Sequence, residues 1–237
     1  MRALAPAQRI IAALDVATVE EARDLSSSLR SQVGLVKVGL ELFVARGAQA
    51  VRAVQEDGHA VFLDLKLHDI PNTVEGAARS ASRLGVQMLT VHAGGGRAMI
   101  AAAKKGLRAE GSQQAPLLLA VTVLTSLGQN DLSDQGVPET VEEHVIRLAR
   151  LAIEAGADGL VCSPLEVKSL RAALGPDPIL VVPGIRPTGA ALHDQTRAAT
   201  PGDAVRAGAD YLVIGRPLRE GGDPASAARR IAEEIPQ

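Results

Sequence analysis

Aromatic side chains are almost missing from this 237-residue chain, which has two Phe, one Tyr and no Trp. Proteins that hold single-stranded nucleic acid stack its bases on such rings. A basic block is missing too, since 25 Lys and Arg stand against 27 Asp and Glu for a net charge of −2. Nucleic acid is therefore not an expected partner. Cysteine occurs once, as Cys162, so no internal disulfide can form. Its apolar setting, GLVCS, predicts an inert buried thiol. No apolar run approaches the ~20 residues of a membrane span. The opening MRALAPAQRIIAALD offers no signal-peptide core followed by a cleavage site. The expectation is a soluble, cytoplasmic protein with no membrane partner.

What the chain does contain is hydrophobic mass: 46% of its residues are apolar, ample for a core and against intrinsic disorder. That mass is arranged in short runs. Strands are predicted at RIIAALD (9–15), GLVKVGL (34–40), AVFLDLK (60–66), MLTVHA (88–93), PLLLAVTV (116–123), GLVCS (159–163), ILVVPGI (179–185) and YLVIGRP (211–217). Continuous apolar runs of this kind suit parallel strands covered on both faces. Between them lie Ala-, Arg- and Glu-rich segments with helical spacing. Thr18 followed by Glu21 makes a capping box, and Val141, Val145, Leu148, Ala149 and Ala152 form one apolar stripe. Several helices stop at a glycine that leads into the next strand, as in EDGHAVF, RLGVQML and the near-duplicate AGAD segments at 155–158 and 207–210. Eight strand–helix units of about 30 residues predict an α/β fold, a (β/α)8 TIM barrel, as a single domain over residues 1–237. A doubly wound open sheet is the alternative. It is disfavoured because no Gly-x-Gly-x-x-Gly turn follows the first strand.

Polar residues gather at the C-terminal ends of these strands: Asp15, Lys37, Asp64 with Lys66, His92, Thr122 to Ser126, and Gly215 with Arg216. In a barrel those ends form the rim where active sites are built. Any one of these residues alone reads as a turn or cap residue. Their joint placement on one rim is the functional signal. Within FLDLKLHDIPNT, strand alternation puts Asp64 and Lys66 on one face and the leucines toward the helices. Asp69 lies beyond the strand. The ends of strands seven and eight, PGIRP and IGRP, offer Gly184, Arg186, Gly215 and Arg216 to an anion. A phosphorylated small molecule is the expected ligand.

DLKLHDIPNT, joined to Asp15, Lys37, VPGIRP and IGRP, resembles the orotidine 5′-phosphate decarboxylases of the bacterial type, from RIIAALD to IGRPL. The resemblance implies decarboxylation of orotidine 5′-phosphate to uridine 5′-phosphate without metal or cofactor, in a homodimer with shared active sites. It makes Lys66 the proton donor to C6 of the pyrimidine and sets Asp64 against the departing carboxylate. Lys37 and Asp69 complete the charged array, with Asp69 reaching in from the partner subunit. Asp15, Lys37 and the partner subunit's Thr73 hold the ribose. Thr125 and Ser126 lie near the base. Gln195, Gly215 and Arg216 bind phosphate, with Arg186 close by, and the loop from Arg186 to about Asp203 closes over the nucleotide. Two other readings compete. One is a magnesium-dependent sugar-phosphate decarboxylase or aldolase-like barrel with the same Asp-x-Lys-x-x-Asp pattern. It is disfavoured because Lys37, not another carboxylate, follows strand two. The other is a non-catalytic nucleotide-phosphate sensor on the same scaffold.

Overall fold

The computed structural model describes residues 4–108, 115–188, 199–220 and 222–236. Eight parallel strands close into a barrel in chain order: β1 (Ile10–Ala13), β2 (Leu35–Gly39), β3 (Val61–Leu67), β4 (Met88–His92), β5 (Leu117–Val121), β6 (Gly159–Val161), β7 (Ile179–Val182) and β8 (Tyr211–Ile214). Closure is made by β1 pairing with β8, Ile11 opposite Val213. Every predicted strand is present, and most are shorter than the apolar run that announced them. Arg9 belongs instead to a 3-10 turn, Pro6–Arg9. Asp15, Thr122 to Ser126, and Gly215 with Arg216 lie just past their strands rather than in them. Hydrophobicity continues beyond the last ladder bond because the first apolar loop residues, such as Leu14, Val123 and Ile185, are still buried.

Alternation divides the apolar side chains into two cores. Ile11, Leu35, Phe62, Met88, Leu119, Ile179, Val181 and Tyr211 fill the barrel. Their neighbours Ile10, Ala12, Val36, Val38, Leu63, Leu89 and Leu180 pack outward against the helices, with Leu65 and Leu67 partly buried there. The expected stripe contributes from Val141–Glu154, where Val145, Leu148, Ala149 and Ala152 are buried. The Thr18–Glu21 capping box is formed, Thr18 Oγ1 accepting from the Glu21 N–H and the Glu21 carboxylate from the Thr18 N–H. The repeat is less regular than one helix per strand. After β2 the chain makes two helices, Leu40–Arg46 and Ala48–Glu56, and the polar connection after β5 contains another, Gln129–Asp134.

At the foot of the barrel one arrangement recurs. The residue before an even strand donates its N–H to the carbonyl of the first residues of the preceding odd strand: Gln87 to Val61, Asp158 to Leu118, Asp210 to Leu180. Its side chain then accepts the N–H of the same strand residue, at 2.6, 2.7 and 2.9 Å respectively. Each latch thus satisfies a strand-end donor that would otherwise be orphaned in a buried place. The two AGAD segments supply two of these latches, their glycines turning the chain at φ 101 (Gly156) and φ 114 (Gly208). Their aspartates are in turn held by Lys104 at 2.5 Å and Arg171 at 2.7 Å. Gly34 stands in the fourth such position and donates to Ile10 O. No side chain fits there, since a Cβ would collide with the Gln8 carbonyl.

Candidate active site

The opposite end of the barrel holds a cavity of about 290 Å³. Its floor is apolar, made by the inward-facing Ala13, Phe62, Val121, Val161 and Val213. On one wall stand Asp15, Lys37, Asp64 and Lys66, from the first three strands and their loops. Arg186, Gly215 and Arg216, from the loops after β7 and β8, continue the same rim, Gly215 standing beside Asp15. A ligand that suits this lining has a weakly polar body over the apolar floor and an anionic group for the arginines.

The charged wall is a chain of contacts. Lys37 Nζ lies 3.1 Å from Asp15 Oδ1 and 3.7 Å from Asp64 Oδ2. Lys66 Nζ lies 2.9 Å from the same Asp64 oxygen. Lys37 and Asp64 are buried, and Gly39 leaves room for the ammonium of Lys37, whose Nζ a Cβ there would approach to 2.8 Å. Burying charges is costly unless they are paired and hydrogen-bonded. Acid and base alternate here so that each charge has an opposite neighbour. The sharing of one face by Asp64 and Lys66 has a different cause from simple alternation. Pairing of β3 with β4 runs Leu63 opposite Leu89 and then Leu67 opposite Val91, so the ladder is bulged between them. Lys66 sits in this bulge at φ 50, one of two non-glycine residues with positive φ among the described residues. That conformation is strained for an L-residue, and such strain concentrates at functional sites.

Thr125 lines the cavity; Ser126 is exposed outside its lining. Asp69 and Thr73 also stand outside it, on the exposed stretch 68–73 that begins just past β3. The Asp69 carboxylate accepts the Ile70 N–H at 2.6 Å. Gln195 lies outside the described residues, as does much of the connection predicted to close over the ligand. Cys162 touches the cavity but is buried, and burial pushes its thiol up, keeping it protonated and unreactive. His92, at the end of β4, packs 5.6 Å from the ring of His68. Burial, then the neighbouring His68 and Lys66, lower its pKa and favour the neutral ring.

Two contributors were not visible in the sequence. Arg219 lines the cavity and donates to the Asp15 carbonyl at 2.9 Å, across 204 residues of chain. Thr90 lies inside MLTVHA, where a β-branched residue reads as an ordinary strand former. Its inward register, shared with Met88 and His92, was the available signal.

Fold and site together define a (β/α)8-barrel protein with an acid–base array and arginines on one rim, built at the C-terminal ends of the strands. The family model described as orotidine 5′-phosphate decarboxylase / HUMPS family matches residues 8–231. The chain is 58% identical over 227 residues to orotidine 5′-phosphate decarboxylase of Anaeromyxobacter sp. (strain K), covering 96% of this chain and 98% of that one. It is 52% identical over 231 residues to the protein of that name from Moorella thermoacetica, covering 96% and 92%. The crystal structure of orotidine 5′-phosphate decarboxylase from Lactobacillus acidophilus superposes with a TM-score of 0.87 at 40% identity, over 96% of this chain and 99% of that one. The chain belongs to the orotidine 5′-phosphate decarboxylase / HUMPS family.

Proposed function

We propose that this protein decarboxylates orotidine 5′-phosphate to uridine 5′-phosphate in pyrimidine biosynthesis. The observation that carries the reading is the Lys66 ammonium held 2.9 Å from Asp64 in a cavity that arginines also line. Breaking the C6–carboxylate bond leaves an electron pair in an sp² orbital at C6, with no carbonyl placed to delocalise it. A fixed ammonium stabilises that charge as it forms and then delivers its proton to C6. Lys66 has this role. Asp64, anchored by both lysines, faces the leaving carboxylate and keeps Lys66 aimed. Lys37 and Asp15 hold the ribose. Thr125 and Ser126 serve the base, and Gly215, Arg216, Arg186 and Gln195 the phosphate. Binding energy gathered at the phosphate orders the reacting end.

The same reading makes the protein a cytoplasmic homodimer of single-domain subunits, each subunit lending Asp69 and Thr73 to its partner's site. The exposure of both residues, with exposed Ile70 between them and exposed Leu40 and Val44 on Leu40–Arg46, supports such an interface. No helix among the described residues is long and apolar enough to cross a membrane. An ammonium, Lys37, occupies the place between Asp15 and Asp64 that a divalent cation would need, which disfavours the magnesium-dependent alternative. The test is the ultraviolet absorbance change when purified protein meets orotidine 5′-phosphate, with and without a chelator. Turnover that survives chelation supports the reading. Tight binding with no carbon dioxide released refutes it.

A further inference from the structure

Between the Leu63–Leu89 and Leu67–Val91 pairs, three residues of β3 stand opposite Thr90 alone. A regular ladder would offer backbone partners at this point. The side chain of Thr90, fully buried, takes their place. Its Oγ1 accepts the Lys66 backbone N–H at 2.8 Å. Because that contact uses a lone pair, the hydroxyl proton is free, and it is donated to Asp64 Oδ1 at 2.9 Å. The other oxygen of Asp64 faces Lys66 Nζ and Lys37 Nζ. One hydroxyl therefore ties the backbone of the proton donor, at its positive φ, to the carboxylate that aims its ammonium.

We infer that Thr90 is a positioning residue, whose hydroxyl fixes the β3 bulge so that Asp64 and Lys66 present a single rigid ion pair to the substrate. The inference rests on the decarboxylase reading. Thr90 is fully buried and is not among the residues lining the cavity, so its effect passes through the two residues it holds. Asp64 is buried and Lys66 part-buried, and a side chain of equal shape without the hydroxyl takes this partner from the Lys66 N–H and from Asp64 Oδ1.

The experiment compares Thr90→Val and Thr90→Ser with the wild type by steady-state decarboxylation of orotidine 5′-phosphate. Valine keeps the shape and removes both hydrogen bonds. Serine keeps both bonds and removes a methyl. Displacing a reacting group by about 1 Å costs about a hundredfold in rate, so Thr90→Val is expected to lose about a hundredfold in kcat with KM within threefold. Thr90→Ser is expected to return kcat to within threefold of wild type. A role in core packing alone gives the opposite order, serine suffering more than valine, and overturns the inference. So does a Thr90→Val enzyme as fast as wild type. If the valine chain is insoluble, Thr90→Ala replaces it: the inference expects a large loss for alanine alone, and comparable losses for alanine and serine overturn it. A wild-type protein that releases no carbon dioxide refutes the decarboxylase reading and this inference with it, whereas failure of the inference alone leaves wild-type turnover intact.

Discussion

Replacing Lys66 by alanine separates the chemistry of the site from its binding. Without Nζ, Asp64 keeps its hydrogen bond from Thr90 at 2.9 Å and its contact with Lys37 at 3.7 Å. The carboxylate stays anchored and the wall does not collapse. The Lys66–Asp64 pair is partly exposed, so its loss costs at most about 1 kcal/mol of stability. Alanine also inherits the positive φ of position 66, neither relieving nor adding backbone strain. For a chain of this size the melting temperature should move by no more than about 4 °C. Turnover responds differently. A general acid contributes about 10²–10⁴-fold and a preorganised charge at the developing anion about 10²–10³-fold. Lys66 supplies both, so kcat for Lys66→Ala should fall by at least about 10⁴-fold. Uridine 5′-phosphate, anchored at the arginine side, should bind within about tenfold of wild type, or about 1.4 kcal/mol. Absorbance assays give the first quantity and calorimetric titration the second. Retained turnover removes Lys66 from the mechanism. Equal losses in turnover and binding show that the residue holds the site together instead of acting in it.

On the proposed homodimer with shared sites, mixing Lys66→Ala and Asp69→Ala subunits should recover about a quarter of wild-type activity, since half the dimers would be mixed and each would carry one intact site. No recovery with mixed dimers demonstrated excludes a shared site. Asp210→Ala removes the carboxylate partner of part-buried Arg171, which keeps its backbone carbonyl acceptors, and the acceptor of the Leu180 N–H. That should cost about 1–3 kcal/mol, roughly 2–12 °C in melting temperature, while kcat at 25 °C is unchanged. Thermal unfolding and turnover of the same preparation check this. His92 has its pKa lowered on folding by burial and by the neighbouring His68 and Lys66, so the unfolded chain binds the proton more readily. Its contribution is complete above the unfolded value of about 6.5 and is lost as pH falls through the lower folded value. Urea unfolding of His92→Asn should show a flatter decline of stability below pH 6.5 than wild type, and parallel declines refute the assignment.

The barrel was legible in the chain because its signals are local: each strand is a contiguous apolar run, and each glycine stop adjoins it. The charged wall was legible for the same reason, since Asp15, Lys37, Asp64 and Lys66 sit at or beside the ends of such runs. Contacts between distant elements were not. The bulge in β3 depends on how β4 pairs with it, so FLDLKL shows alternation and hides the distortion at Lys66. The AGAD segments read as helix stops. That their aspartates reach back to hold Leu118 and Leu180 depends on which strand lies beside them. Arg219 meets Asp15 only when the last strand closes on the first. Asp69 and Thr73 face outward from one chain, and a single sequence carries no mark of what a second copy brings.

The latches at the foot of the barrel link strands in a fixed order: β3 to β4, β5 to β6, β7 to β8. None of the three spans an even strand and the odd one that follows. The molecule is thus jointed as well as closed, with self-contained strand pairs meeting along plainer ladders. Cutting or rejoining the chain between β4 and β5 would spare every latch, whereas the same operation inside a pair would part a strand from the side chain that secures it.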